Sequence, residues 1–338
     1  MVTPGGRSPD GGRGHAPAEA RADALAAALG SRAVRNAPLG ARTTYRVGGP
    51  AAVLVEVDSE DDLATVHRAL VQHGLGPGDE TPLLVLGNGS NLLVADAGFP
   101  GLVIALGPGL GVIEIDGTTV RAGGAAMLPL VARRSAAAGL TGFEWAVGVP
   151  GTVGGALKMN AGGHGSDTAA VLARQRVFDL MTGRGAEAGA DRLELGYRHS
   201  SLGAGEVVVW AEFALSAGEA GAAQAAVAEI VRWRRAHQPG GSNAGSVFTN
   251  PPGDAAGRLV EAAGLKGVRR GSAQVSEKHA NFIQADAGGS ADDVRGLIEQ
   301  VRRVVFDTTG VALVPEVRFV GFDQEVREKP STSCGGSS

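Results

Sequence analysis

Leu86-Gly87-Asn88-Gly89-Ser90-Asn91-Leu92-Leu93 follows the apolar run that starts at Leu83. Small and turn-forming residues between two apolar stretches let successive backbone N–H groups converge on an anion. A diphosphate is the natural guest, and a tight inter-strand turn is the alternative. The stretch does not fit Gly-x-Gly-x-x-Gly, and no Gly-x-x-x-x-Gly-Lys occurs in the chain. A Rossmann dinucleotide site and a P-loop are therefore disfavoured.

Outward from this loop, glycine recurs in two further segments. One is Glu144-Trp145-Ala146-Val147-Gly148-Val149-Pro150-Gly151-Thr152-Val153-Gly154-Gly155-Ala156, and the other is Asn160-Ala161-Gly162-Gly163-His164-Gly165. Such density lets main chain lie directly against a flat or extended ligand. A solvent loop would waste the apolar Trp145, Val147, Val149 and Val153, so a buried, ligand-lining segment is expected. Further along, Asn243-Ala244-Gly245-Ser246-Val247-Phe248-Thr249-Asn250-Pro251 sets a serine in a Gly/Asn/Pro frame. The frame gives freedom before the hydroxyl and rigidity after it. It is not the Gly-x-Ser-x-Gly elbow of hydrolases.

Three charged segments are ambiguous alone. Tyr197-Arg198-His199-Ser200 and Ser276-Glu277-Lys278-His279-Ala280-Asn281-Phe282 each suit an exposed turn. In Pro315-Glu316-Val317-Arg318-Phe319-Val320, Glu316 and Arg318 alternate on one face of a strand, either as a self-compensated pair or as a carboxylate projecting into a site. The seven histidines show no metal-ligand spacing, so no metal is expected.

The 338 residues, 43% hydrophobic, suffice for two or three domains. Glycine, at 54 residues, has no Gly-X-Y period, which excludes collagen. A net charge of −4 suggests no nucleic-acid partner. The lone Cys334 gives no disulfide framework and fits a reducing compartment. No run of 18 apolar residues predicts a membrane span, and the Gly/Pro/Arg-rich start lacks the apolar core of a secretory signal.

Helices are predicted from Ser59, capped with Asp62 and carrying Leu63, Val66, Leu70 and Val71, then over 127–138, 222–237, 254–263 and 290–308. Strands are predicted over 51–57, 83–86, 102–106, 112–115, 207–215, 280–284 and 311–320. Mixed α+β follows, with helices on partly antiparallel sheets.

Taken in order, Tyr45–Ala51, Gly87–Leu93, Gly148–Asn160, Tyr197–Ser200, Gly245–Pro251, Gln274–Phe282 and Pro315–Gly321 closely resemble the UDP-N-acetylenolpyruvoylglucosamine reductases of bacterial peptidoglycan synthesis. The resemblance runs from about Arg42 to Gly321. It implies an α+β, two-subdomain FAD-binding fold of the vanillyl-alcohol-oxidase type plus a C-terminal α+β substrate domain. The composition of the two ends predicts a disordered extension over 1–30 and a disordered tail over 323–338, and the Pro/Gly/Ser cluster at 238–243 predicts a boundary, which gives FAD subdomains over 31–100 and 101–237 and a substrate domain over 238–322.

The resemblance also implies non-covalent FAD, NADPH as hydride source, a UDP-sugar substrate and a cytoplasmic location. It assigns Arg46, Gly48, Gly49, Gly87, Asn88, Gly89, Ser90, Asn91, Leu92, Gly148, Pro150, Gly151, Gly154, Gly155, Asn160 and Gly162 to the cofactor. Ser246 becomes the proton donor, with Arg198 and Glu316 as its catalytic partners. Tyr197, Asn250, Gln274, Lys278 and Asn281 fall near the sugar nucleotide. The chain looks like the type without a tyrosine-bearing mobile loop, since Tyr45 and Tyr197 are its only tyrosines. Two alternatives remain open here: another FAD-linked oxidoreductase acting on a small alcohol, with His164 as the one plausible covalent anchor, and a non-catalytic flavin-binding module.

Overall fold

The computed structural model describes residues 18–73 and 82–322. The expected tail over 323–338 and residues 1–17 of the expected extension lie outside the described residues. The rest of that extension is not disordered. Ala18–Leu29 is a helix, because Ala22, Leu25 and Leu29 form a stripe at helical spacing that is buried against the first sheet.

That sheet has four strands in the order Ala33–Ala37, Ala51–Val57, Phe99–Leu106, Leu83–Leu86. The first pair is antiparallel and the others are parallel. Helix Glu60–Gln72 packs beside Ala18–Leu29, and Ser59 caps it by accepting from Asp62 N at 3.2 Å. Val71, placed by sequence on the buried stripe, instead faces solvent; Ala69 takes its place.

The second sheet is wholly antiparallel, in the order Arg184–Gly189, Leu172–Asp179, Glu206–Ala214, Thr119–Gly123, Ile113–Asp116. Helices Leu128–Ala137, Val153–Met159 and Ala220–His237 cover one face around a core that includes Phe143, Trp145 and Phe213. A third core forms between Ala256–Ala262, Ala291–Thr309 and a three-stranded sheet of Arg269–Arg270, Ala273–Val275 and Ile283–Ala285. Tyr45, Val47 and Leu93 reach into it from the first part of the chain.

Two features fasten this last unit to the first, just after the loop at 87–92. The strand expected over 311–320 shortens to Arg318–Val320, which pairs in parallel with Leu92–Val94. The stretch before it, at Pro315, bridges antiparallel to Phe248 instead. Asp96 caps the helix Ala291–Thr309 from outside, accepting from Ser290 Oγ at 2.6 Å, Ala291 N at 2.9 Å and Asp292 N at 3.1 Å. Ser290 caps the same helix by accepting from Asp293 N at 3.2 Å, and the Asp293 carboxylate accepts from Ser272 N and Oγ. Burial pushes the Asp96 carboxyl up, and the hydrogen bonds from Ser290, Ala291 and Asp292 outweigh it, so its pKa lies below the ordinary value.

Asp96→Ala is expected to cost about 1 kcal/mol of stability, the usual worth of a helix cap, as read by urea unfolding. A depressed carboxyl pKa stabilises above the unfolded-state value. The difference between wild type and variant should therefore be full near neutrality and vanish as pH falls through the folded pKa. A variant as stable as wild type at neutral pH would contradict the clasp.

Candidate active site

A cavity of about 850 Å³ opens where the three units meet, at the upper end of the range for small-molecule clefts. Its floor is Gly87, Asn88, Gly89, Ser90, Asn91 and Leu92. Gly148, Pro150, Gly151, Gly154, Gly155 and Gly162 also line it, as do Arg198, Ser246 and Glu316, and Arg198 Nη2 donates to Gly162 O at 3.4 Å.

The loop after strand Leu83–Leu86 can only be built with glycine at its start. A Cβ on Gly87 would lie 2.3 Å from Thr152 Oγ1, the cap of the short helix Val153–Met159. This close approach joins the two glycine segments. Among the described residues no group accepts from the amides of Asn88, Gly89 or Ser90, which leaves them for an anion. Asn88 Nδ2 ties the loop to Pro150 O at 2.5 Å.

Arg198 stands in a tight turn closed by two 3.1 Å hydrogen bonds between Gly196 and His199. Its φ of 54° is left-handed, a strained choice for arginine. The turn leaves Tyr197 63% exposed, outside the cavity, with its ring 5.3 Å from the Arg198 guanidinium. Arg198 Nε lies 2.7 Å from Glu316 Oε1. The N–H does not aim at that oxygen and stays unsatisfied, so the contact is a close ion pair rather than an aligned hydrogen bond. Burial raises the Glu316 carboxyl above its ordinary pKa, and the cations of Arg198 and Arg318 only partly oppose this.

The Glu316 peptide is pinned on both sides. Its N–H donates to Val247 O at 2.7 Å, and its carbonyl accepts from Asn91 Nδ2 at 3.0 Å. Gly245, at φ 76°, turns the chain immediately before Ser246, and Asn243 Oδ1 accepts from Gly245 N at 3.0 Å.

Several residues assigned by sequence do not line the cavity. Gly48 and Gly49 are glycines for backbone packing: a Cβ would lie 2.2 Å from Val94 O and 2.3 Å from Asp96 O respectively. Arg46 is an exposed residue at φ 57°. Asn160 is buried and ends the helix Val153–Met159, its amide bonded to Asp167, Gly196 and Ala169. Asn250 Oδ1 accepts from Ala256 N, Gln274 bonds Gly267 and Arg269, and Lys278 Nζ donates to Arg235 O. Asn281 is buried on Phe248.

Conversely, sequence reading left Lys158, Arg234, Trp233 and Gln238 out of the site, although all line the cavity. Lys158 donates to Leu202 O, and burial, then Arg318, lowers its pKa. Arg234 stands in the last turn of the helix Ala220–His237, and burial lowers its pKa. Lys158, Arg198, Arg234 and Arg318 face only Glu206 and Glu316 as lining carboxylates, so the cavity favours anionic ligands. Trp145 and Gln238 are among its lining residues, and Trp145 Nε1 and Gln238 Oε1 are buried without a hydrogen-bond partner. A ligand with both acceptors and donors would satisfy them. His164 packs edge-on against Trp233, with ring centroids 5.1 Å apart.

The family model described as "UDP-N-acetylenolpyruvoylglucosamine reductase, C-terminal domain" matches residues 237–320, and the model described as "FAD binding domain" matches residues 51–187. A UDP-N-acetylenolpyruvoylglucosamine reductase of Alkalilimnicola ehrlichii is 45% identical over 84% of this chain and 93% of its own length. Reductase 2 of Symbiobacterium thermophilum is 44% identical over 85% and 92%. The chain belongs to the UDP-N-acetylenolpyruvoylglucosamine reductase family. A crystal structure of the reductase from Thermus caldophilus superposes with a TM-score of 0.73 at 36% identity, covering 85% of this chain and 98% of that one.

The chain thus carries the family's FAD-binding domain, and its cavity fits FAD. The free amides of Asn88, Gly89 and Ser90 suit the diphosphate. The orphaned Trp145 and Gln238 atoms suit a ligand with polar edges. The apolar stretch around Val149 suits a flat ring. Among the described residues no helix is long and apolar enough to cross a membrane, and no group of three or more His, Cys, Asp or Glu could hold a metal.

Proposed function

We propose that this chain reduces the enolpyruvyl group of UDP-N-acetylglucosamine enolpyruvate to UDP-N-acetylmuramate with NADPH, in cytoplasmic synthesis of peptidoglycan precursors. The reading is supported by one observation: a serine hydroxyl, a guanidinium and a buried carboxyl line one cavity with the glycine loops. A mere flavin-binding module has no use for that trio.

The loops at 87–92 and 148–155 would hold FAD, and the bound cofactor would supply the redox chemistry, relaying hydride from NADPH to C3 of the enolpyruvyl group. The chain's own residues do the rest. Arg198 holds the substrate carboxylate and stabilises the negative charge that develops on it. Ser246 Oγ delivers the proton to C2. A hydroxyl is a weak acid and suffices because the carbon it meets is strongly basic and the serine is held in place. Glu316 serves as a neutral acid that donates a hydrogen bond to the same carboxylate. Binding of that carboxylate competes for Arg198, and so weakens the main interaction that lowers the Glu316 pKa.

Two results test this reading. The protein should purify yellow, and acid precipitation should leave all flavin in the supernatant; flavin retained on the polypeptide would favour a tethered oxidase. Flavin reoxidation by the sugar nucleotide should be fast at low pH and fall as pH rises through the raised Glu316 pKa. Glu316→Gln, a fixed neutral donor, should flatten that fall. A profile unchanged by the substitution would remove Glu316 from the role.

A further inference from the structure

Asn281 belongs by resemblance to the sugar-nucleotide contacts, yet its side chain is committed elsewhere. It is 4% exposed and does not line the cavity. Its Oδ1 accepts from Phe248 N at 3.0 Å, and its Nδ2 donates to Phe248 O at 2.9 Å. Its own carbonyl accepts from Val247 N at 2.8 Å. Three hydrogen bonds therefore grip the two residues that follow Ser246. Val247 O passes the restraint on by accepting from Glu316 N at 2.7 Å.

Ser246 needs such a restraint. Its hydroxyl makes no hydrogen bond with any described residue, so only the backbone sets its direction. On the N-terminal side stands Gly245 in a left-handed turn, the least rigid anchor a chain offers. On the C-terminal side stands the Asn281 clamp, together with the burial of Val247 and Phe248.

We propose that Asn281 is a positioning residue: it clamps the Val247–Phe248 peptides, and so fixes Ser246 relative to Glu316, without touching the sugar nucleotide. This rests on the reading of Ser246 as proton donor. A buried amide with both ends bonded is a rigid peg, and a displacement near 1 Å at a reacting group costs on the order of 10²-fold in rate.

The test is stopped-flow absorbance of the flavin-loaded protein. Asn281→Ala should leave NADPH reduction of the flavin and the KM for the enolpyruvyl substrate near wild type, while slowing reoxidation by at least about tenfold. In a Ser246→Ala background the same substitution should have almost no further effect, since there is no hydroxyl left to position. Should Asn281→Ala not fold, Asn281→Asp serves. The ionised carboxylate still accepts from Phe248 N but cannot donate to Phe248 O, whereas the protonated form can do both. Its reoxidation deficit relative to wild type should close as pH falls.

The inference is overturned if Asn281→Ala raises KM at unchanged rate, as a ligand contact would. Equal slowing of both half-reactions, or full additivity with Ser246→Ala, overturns it too. So does a deficit in Asn281→Asp that does not change with pH. A wild-type protein whose flavin is never reoxidised by the substrate overturns the function reading, and this inference with it. An active wild type with an equally fast Asn281→Ala overturns this inference alone.

Discussion

Ser246→Ala should leave reduction of the flavin by NADPH close to wild type and slow its reoxidation by the enolpyruvyl substrate at least ~10²-fold, the lower end expected for a positioned general acid. The hydroxyl is used only when C2 takes its proton, and hydride transfer from NADPH makes no demand on it. Substrate affinity should change little, because an interaction made mainly in the transition state lowers turnover rather than binding. The missing oxygen leaves no unpaired partner, since Ser246 Oγ bonds no described residue. Folding should therefore be unaffected, and a rate change reads as chemistry. Equal slowing of both half-reactions, or of neither, would remove Ser246 from the role.

Arg198→Ala should behave differently, weakening substrate binding and reoxidation together. Its guanidinium meets a carboxylate that is already charged in the ground state, and it also meets the charge that develops later. Loss of a charge-assisted contact of this kind costs about 1.5–3 kcal/mol in binding alone. The substitution also leaves Glu316 half-stripped of its partner. Burial then acts with less opposition, so the carboxyl should be protonated to higher pH than in wild type. The pH at which reoxidation falls should thus move upward in Arg198→Ala while the rate drops. A variant with unchanged KM would show that the substrate carboxylate lies elsewhere.

What could be read from sequence was local. The Gly87–Leu92 loop and the glycine wall from Gly148 to Gly155 line the cavity because their composition alone permits close backbone approach. Local composition could not tell which glycines face a ligand. Gly48 and Gly49 have the same look, and they press on the carbonyls of Val94 and Asp96 instead. Asparagines mislead for a related reason. Asn160, Asn250 and Asn281 each spend their amides on backbone supplied by another loop, and sequence does not name that partner.

The strand Leu172–Asp179 escaped notice because its middle is polar. Gln175 is fully buried with its Nε2 on Gly189 O, while Arg174 pairs with Glu212 and Arg176 forms a half-buried pair with Glu60. The helix Ala18–Leu29 was hidden by the Gly/Pro/Arg run before it, although its Ala22, Leu25, Leu29 stripe was present in the letters. Arg234 lies in no motif, Lys158 and Arg318 lie in segments whose glycines and Glu316 carry the signal, and only tertiary packing makes the three one cationic lining.

The central claim, that this cavity passes hydride from NADPH to an enolpyruvyl sugar nucleotide, is tested most directly by one anaerobic titration. The purified yellow protein is bleached with one equivalent of NADPH, then mixed with UDP-N-acetylglucosamine enolpyruvate while flavin absorbance is followed. The account predicts stoichiometric bleaching, full return of the oxidised spectrum on mixing, and one equivalent of UDP-N-acetylmuramate. Flavin that bleaches but is reoxidised only by admitted oxygen, with no sugar product, would contradict it.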